Sequence, residues 1–304
     1  MAAVTLFLYG LQSFTRELQH LSGSVLKRGL ERATRHRILA AVVGMVSTAV
    51  LQSSSAVSTL VIALSDAKLL TLKAALAVLV GANLGTASTA FIVSFKLNHV
   101  GAYLLVAGSL LSLMPIKLRL IGKSLFYFGL ILFSLDQISV VLEPVYHSPR
   151  LLELLTYAAH PMVGVFIGLT ITALVQSSSV VTGLVVLLAN EGSLSMIGAV
   201  AIVCGANIGT TATGLFAAAQ LGRSARVIAL ANLIFNLLSV VLVFPFIPQL
   251  AEGALVWSRS DLGLAVALSH LLFNTTVMAL GLLLLTPVCR WLQRMDWHKP
   301  AGLG

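Results

Sequence analysis

The chain has 304 residues, of which 58% are hydrophobic and only 10% are charged. Soluble domains carry about 25% charged residues, so this composition excludes an ordinary soluble protein. The net charge of +9 would suggest a nucleic-acid partner in a soluble protein. Here the basic residues lie in short loops between apolar segments, which indicates membrane topology and no nucleic acid.

Several segments are long enough to cross a bilayer, since about 20 apolar residues suffice for a spanning helix. In chain order the clearest examples are Leu70–Phe95, His99–Met114, Leu125–Leu142, Val227–Ile247 and Leu262–Pro287. They predict an all-α, multi-pass protein of the cell (inner) membrane. Pro245, Pro248 and Pro287 are expected to pack between helices or to mark helix ends. The two cysteines predict neither a disulfide framework nor a metal site.

An internal repeat is the most specific feature of the sequence. Thr-Ala-Val-Leu-Gln-Ser-Ser-Ser at 48–55 recurs as Thr-Ala-Leu-Val-Gln-Ser-Ser-Ser at 172–179. Gly-Ala-Asn-Leu-Gly-Thr at 81–86 recurs as Gly-Ala-Asn-Ile-Gly-Thr at 205–210, and both motifs are displaced by 124 residues. We therefore expect one repeat at 1–120, a second at 121–250, and a final transmembrane helix with a short tail at 251–304.

The Gln-Ser-Ser-Ser segments, at about 38–65 and 158–189, could be single spans or re-entrant helical hairpins. Four consecutive polar side chains at mid-membrane favour a broken helix that lines a protein cavity. With two hairpins, 15 basic residues lie on one side of the membrane and 3 on the other, whereas two single spans give 12 and 6. The positive-inside rule favours hairpins, inverted topology between the repeats and a cytoplasmic C-terminus.

Each Gln-Ser-Ser-Ser motif offers hydroxyls, a carboxamide and free backbone N–H groups at a helix break. Helix N-termini attract anions, so two tips that meet could surround a tetrahedral oxyanion. Packing between helices is the alternative explanation of the serines, but the duplication favours a site. The predicted anion ligands are Gln52, Ser53, Ser54, Ser55, Gln176, Ser177, Ser178 and Ser179.

The second motif supplies neutral oxygen ligands that suit an alkali cation, and a cation would also supply the positive charge that an anion needs there. The residues are Asn83, Thr86, Asn207, Thr210 and Thr211. A cation site and a structural role are about equally supported for the two asparagines. Asn236 and Asn274 are secondary candidates, for which interhelical hydrogen bonding is favoured. Few groups suit a proton relay: Glu17, Asp136, His160 and His270.

These doubled motifs resemble the type II sodium–phosphate cotransporter family over nearly the whole chain. The resemblance implies inverted repeats, dimers, phosphate held by both Gln-Ser-Ser-Ser segments, and sodium bound close by as the coupling ion. By motif, it adds Thr48 and Thr172 to the candidate sodium ligands named above. It also implies inward transport, although the chain is similar to minimal bacterial forms, some of which export phosphate.

The expected function is therefore secondary transport of phosphate with sodium, without enzymatic chemistry and without a cofactor. Two alternatives remain within transport, namely a carrier for sulfate or a carboxylate and a phosphate exporter. A non-transporting membrane scaffold or sensor is the alternative from another class.

Overall fold

A computed structural model describes residues 5–7, 9–10, 13–14, 17, 36–94, 100–146, 157–158 and 160–294. Those residues are helical or irregular and include no strand. The predicted cytoplasmic tail after residue 294 lies outside the described part. In chain order the helices are α1 Arg37–Leu51, α2 Ser54–Asp66, α3 Leu72–Gly85, α4 Ala87–Ser94, α5 Val100–Ser112, α6 Ile116–Tyr146, α7 Pro161–Val175, α8 Ser178–Asn190, α9 Met196–Ala219, α10 Arg223–Val243, α11 Ile247–Trp257 and α12 Leu262–Arg294.

Four helical segments are long and apolar enough to cross a membrane, judged by length and composition. They are Leu72–Ser94, Met196–Ala219, Arg223–Trp257 and Leu262–Leu292. The helices that flank the Gln-Ser-Ser-Ser motifs are apolar but shorter, at 13 to 15 residues. A helix of that length rises only about 20 Å, which is less than the roughly 30 Å of a hydrocarbon core.

The three prolines, expected to pack between helices or to mark helix ends, do not all lie at a helix end. Pro248 lies in the first turn of α11, where its missing N–H costs nothing. Pro245 lies in a short 3-10 turn, Phe244–Phe246, that joins α10 to α11 without an irregular loop. Pro287 lies inside α12, which continues to Arg294. Proline inside a helix is a common cause of kinks, and neighbouring helices make it tolerable within a membrane helix.

Close glycine contacts hold α1 against α3. A methyl group on Gly44 would collide with the backbone carbonyl of Val78, and one on Gly81 would collide with the carbonyl of Ala41. Further along, Gly85 lies against Met45. Later residues of α1 therefore contact later residues of α3, so the two helices run in the same direction.

The second repeat reproduces these contacts at the same offset of 124 residues. Gly168 lies against the carbonyl of Ile202, Gly205 against that of Val165, and Gly209 against that of Leu169. Helices α7 and α9 therefore also run in the same direction. Small residues permit such backbone approach in membrane helices.

Two hydrophobic clusters form the interior, and α12 joins them. One cluster combines α1, α2 and α3 with α10, and the C-terminal part of α12 adds Leu285 and Leu292 to it. The other combines α8, α9 and α11, and the N-terminal part of α12 adds Val266 and Phe273. The final helix therefore packs against both repeats.

The opening residues of the chain pack on α6. The rings of Tyr9 and Tyr127 lie edge to face at 6.2 Å between centroids. Lys123 Nζ and Glu17 Oε1 form an ion pair at 3.2 Å. Glu17, named above among the groups that suit a proton relay, therefore has a basic partner on α6.

Candidate functional site: two helix tips

The first Gln-Ser-Ser-Ser motif breaks the helix. Helix α1 ends at Leu51, and Gln52 has the left-handed backbone conformation, with φ 51° and ψ 26°. Ser53 is extended, and its hydroxyl accepts a hydrogen bond from the Ala56 N–H at 3.2 Å, which caps α2. Polar side chains compete well with helical backbone bonding at a cap, so the motif itself ends one helix and begins the next.

The second motif has the same conformation. Gln176 is left-handed, with φ 57° and ψ 25°. Ser177 is extended and accepts a hydrogen bond from the Val180 N–H at 3.4 Å, which caps α8. The helix breaks predicted at both motifs are therefore present, and Ser53 and Ser177 act as caps.

Capping leaves two backbone donors free at each tip. In the described part of the chain, the N–H groups of Ser54 and Ser55 have no hydrogen-bond partner, nor do those of Ser178 and Ser179. The first N–H groups of a helix point along its axis and carry its partial positive charge. Each tip therefore presents two amide donors together with serine hydroxyls.

The two tips meet. The Ser55 hydroxyl donates a hydrogen bond to the backbone carbonyl of Gln176 at 3.4 Å, across 121 residues of sequence. No Lys, Arg, Asp or Glu occurs in 38–65 or in 161–189. The paired tips therefore provide neutral donors and helix dipoles rather than full charges.

Thr89, which sequence reasoning missed, connects the tips. Its hydroxyl donates to Gln52 Oε1 at 2.8 Å and lies 3.4 Å from the hydroxyl of Ser179. The carboxamide nitrogen of Gln52 donates to Ser88 Oγ at 3.1 Å. A repeat signal was present, because Thr89 and Thr213 are also separated by 124 residues.

The space beside Gln52 is nearly closed. A cavity of about 10 Å³ lies there, lined by Gln52, Thr89 and apolar side chains that include Phe7 and Phe14. That volume holds about one water molecule and is too small for a tetrahedral oxyanion. Gln52 is 8% exposed, whereas Gln176 at the other tip is exposed.

Thr48 and Thr172 have buried hydroxyls without a hydrogen-bond partner. They are 1% and 0% exposed. Each threonine lies against the second glycine of the Gly-Ala-Asn-x-Gly-Thr motif of its own repeat, Gly85 or Gly209. A buried hydroxyl without a hydrogen-bond partner is costly, and the two repeats share this feature at equivalent positions. Hard cations bind such neutral oxygens.

The four candidate asparagines form two buried pairs. Asn83 Nδ2 donates to Asn236 Oδ1 at 2.9 Å, and Asn207 Nδ2 donates to Asn274 Oδ1 at 3.1 Å. The expected interhelical role of Asn236 and Asn274 is therefore confirmed. Within the described chain, the Oδ1 atoms of Asn83 and Asn207 accept no hydrogen bond, and so they stay available to a cation.

The remaining candidate threonines differ between the repeats. Thr86 Oγ1 lies 3.3 Å from His270 Nε2 of α12. All three threonines also donate to a preceding backbone carbonyl: Thr86 to Asn83 at 2.5 Å, Thr210 to Ala206 at 2.9 Å and Thr211 to Ile208 at 2.7 Å. The described residues contain no group of three or more His, Cys, Asp or Glu that could hold a metal ion.

The fold and the site together describe a helical membrane protein whose duplicated halves bring two polar helix tips into contact. The family model for the Na+/Pi-cotransporter matches residues 6–140 and 146–286. The chain belongs to the Na+/Pi-cotransporter family. This is a transporter family, and the resemblance inferred from the motifs is confirmed.

Two bacterial proteins are similar to this chain over nearly its whole length, and only one of their names states a function. The chain is 32% identical over 283 residues to YqeW of Bacillus subtilis (strain 168), an uncharacterised protein, and covers 92% of both chains. It is 26% identical over 305 residues to YjbB of Escherichia coli (strain K12), described as a candidate inorganic phosphate export protein; the match covers 99% of this chain and 56% of that one.

A third similarity is partial. Over 115 residues the chain is 36% identical to the sodium-dependent phosphate transport protein 2A of Oryctolagus cuniculus. This match covers 36% of this chain and 17% of that protein. No solved structure matches the chain.

Proposed function

We propose that this protein is a secondary transporter that moves inorganic phosphate across the membrane together with sodium. The observation that carries the proposal is the contact between the two helix tips at Ser55 and Gln176. Membership of the Na+/Pi-cotransporter family supports the substrate and the coupling ion.

Each Gln-Ser-Ser-Ser segment is a re-entrant hairpin in this proposal. Helices α1 and α3 run in the same direction and pack at the same level, since Gly44 lies against Val78 and Gly85 lies against Met45. The chain between Leu51 and Leu72 must then return to the side from which α1 entered, and α2 is the returning arm. The matching contacts of α7 and α9 support the same course for α8.

Contacts between the repeats support inverted topology. Ile62 lies against Gly214, and Asp66 lies against Gly222, so α2 runs in the same direction as α9. Helix α9 in turn runs in the direction of α7. If α2 returns against α1, then α1 and α7 enter from opposite sides, as the loop charges also indicate.

Phosphate binds between the tips, where the amides and hydroxyls of Ser54, Ser55, Ser178 and Ser179 donate to its oxygens. Oxyanions bind readily at helix N-termini, and neutral donors suit a substrate that must also leave. Gln52 and Gln176 complete the site as carboxamide donors, while Ser53 and Ser177 hold the tips in shape as helix caps.

Sodium binds beside the phosphate, at one site in each repeat. Thr48 and Thr172 supply hydroxyl oxygens, and Asn83 and Asn207 supply carboxamide oxygens. Thr86, Thr210 and Thr211 are the remaining candidate ligands. A cytoplasmic C-terminus and the homodimer implied by the family resemblance stay predictions.

Uptake of radiolabelled phosphate into proteoliposomes tests the proposal. An inward sodium gradient should accelerate uptake, whereas an equal potassium gradient should not. Ser54→Ala and Ser178→Ala should each weaken apparent phosphate affinity about tenfold or more, since a hydrogen bond to a charged group contributes about 1.5–3 kcal/mol. Ser239→Ala is the matched control, because that buried serine bonds only to the Phe235 carbonyl of its own helix.

Two results would contradict the proposal. One is a rate of phosphate uptake that does not change with the sodium gradient. The other is equal inhibition by sulfate and by phosphate, which would make the protein a general oxyanion carrier. A protein that reconstitutes correctly but neither binds nor moves phosphate would instead be a scaffold or sensor.

Export is the second candidate, and the similarity to YjbB over 99% of this chain favours it. The same site would then release phosphate outward. Loading the liposomes with phosphate and following efflux under each orientation of the sodium gradient separates export from uptake.

A further inference from the structure

The two tips have the same backbone but different side-chain partners. The backbone angles of Gln52 and Gln176 agree within about 6° in φ and 1° in ψ. The Gln52 carboxamide is buried and bonded to Thr89 and Ser88. The Gln176 carboxamide is exposed and makes no side-chain hydrogen bond to any residue that the structure describes.

The partner that symmetry provides for Gln176 is present and unoccupied. Thr213 lies 124 residues after Thr89, just as Gln176 lies 124 residues after Gln52. The hydroxyl of Thr213 is buried without a hydrogen-bond partner. A buried hydroxyl without a partner is destabilising in the state that contains it.

We propose that Thr89 and Thr213 are equivalent receptors, that is, hydrogen-bond partners, for the carboxamides of Gln52 and Gln176. During transport one receptor releases its glutamine as the other receptor binds its own. The inference rests on the proposed function, because only an alternating transporter needs two mirror-related states. The structure holds the state in which Gln52 is docked on Thr89 and Gln176 is released. In the opposite state Gln176 docks on Thr213 and Gln52 is released.

The surroundings of the tips agree with this exchange. Leu51, beside the docked glutamine, is 2% exposed, whereas its counterpart Val175 is 42% exposed. The docked tip is therefore more deeply buried within the chain than the released tip. Inverted repeats alternate access in this way when two similar arrangements are exchanged around one site.

The receptors do not offer equal numbers of hydrogen-bonding groups. Gln52 bonds to Ser88 as well as Thr89, whereas the position equivalent to Ser88 in the second repeat is Ala212. One additional hydroxyl favours docking of Gln52 in the absence of substrate.

Thiol labelling tests the exchange without measuring transport. Leu51→Cys and Val175→Cys are introduced separately, and each is labelled with a small water-soluble methanethiosulfonate in proteoliposomes. The native Cys204 and Cys289 are buried, so the unmodified chain serves as the blank. We expect Val175→Cys to react at least tenfold faster than Leu51→Cys in the absence of sodium and phosphate.

Valine substitutions then move the equilibrium in opposite directions. Thr89→Val should speed labelling of Leu51→Cys and slow labelling of Val175→Cys. Thr213→Val should keep Leu51→Cys protected even when sodium and phosphate are added. Thr182→Val is the control, since its hydroxyl is also buried and unpartnered but lies outside both receptors, and it should leave both rates unchanged.

A purely structural role for Thr213 predicts a different result. Because its hydroxyl bonds to no described residue in this state, Thr213→Val would then be silent in labelling and in phosphate uptake, and that outcome would overturn the exchange. The two hypotheses fail separately. If labelling responds as expected but the protein does not transport phosphate, only the proposed function is contradicted. If the protein transports phosphate but labelling does not respond, only the exchange is contradicted.

Discussion

Replacing Thr172 by valine separates a cation ligand from a packing residue. The change keeps the shape of the side chain and removes only the hydroxyl, which is buried and has no partner. An unsatisfied buried polar group costs about 1–3 kcal/mol. In sodium-free buffer Thr172→Val should therefore be more stable than the native protein by about 1 kcal/mol or more, an increase in Tm of roughly 2–4 °C.

Sodium should reverse this order. A ligand that binds only the folded protein stabilises it by RT ln(1 + [L]/Kd), which is about 1.4 kcal/mol at ten times Kd. If Thr172 is a ligand, the native protein gains this stabilisation on addition of sodium, and the variant loses the part that belongs to its site. The sodium dependence of phosphate uptake should weaken in parallel.

Thermal unfolding of the purified protein in detergent, at matched ionic strength in sodium or potassium chloride, measures both effects. Thr182→Val is the control: its hydroxyl is 1% exposed and equally unpartnered. It should gain stability in both salts and keep the full response to sodium. Equal sodium-dependent shifts for the native protein and Thr172→Val would refute the assignment of Thr172 as a ligand.

Two further predictions concern the packing that positions the tips. Gly168→Ala should lower Tm strongly, with a cost of about 1–3 kcal/mol or more, because the added methyl meets the backbone carbonyl of Ile202. Gly183→Ala should be neutral or stabilising, since its methyl would make ordinary contact at 3.6 Å; equal Tm values for the two variants would contradict this argument. Asn207→Leu leaves Asn274 without its donor and should cost about 1–3 kcal/mol in thermal unfolding, and the double leucine variant should recover part of that loss. Failure of the double variant to recover any stability would show that the asparagines do not act as a pair.

The sequence was sufficient to predict the duplication and the two helix breaks. A run of four polar residues within an apolar segment conflicts with an unbroken span. The repeat of that run at one fixed offset made chance an unlikely explanation. Gln52 and Gln176 have left-handed backbones at the predicted positions, and the asparagines expected to bond between helices do so.

Other features depend on tertiary contacts that no local pattern encodes. Thr89 and Thr213 follow their motif by three residues and look like ordinary small side chains of a packed helix. His270 was considered only as a proton-relay candidate, yet its Nε2 lies beside Thr86, because α12 packs against both repeats. The different burial of Gln52 and Gln176 cannot be inferred from identical motifs, since it belongs to one conformational state.

Electrostatics favours a co-transported cation at the proposed phosphate site. Two helix N-termini contribute roughly half a positive charge each, about one in total, and the hairpin segments 38–65 and 161–189 contain no basic side chain. A phosphate carries roughly one to two negative charges near neutral pH. The helix dipoles therefore leave part of the negative charge of phosphate uncompensated, and this charge would be unfavourable in free energy in a medium of low dielectric constant. A lysine at the tips would neutralise this charge permanently, but it would also leave an unpaired buried charge whenever the site was empty. Cations that enter and leave with the substrate would avoid that penalty, and in the proposed site the hydroxyls of Thr48 and Thr172 would supply one oxygen ligand for them in each repeat.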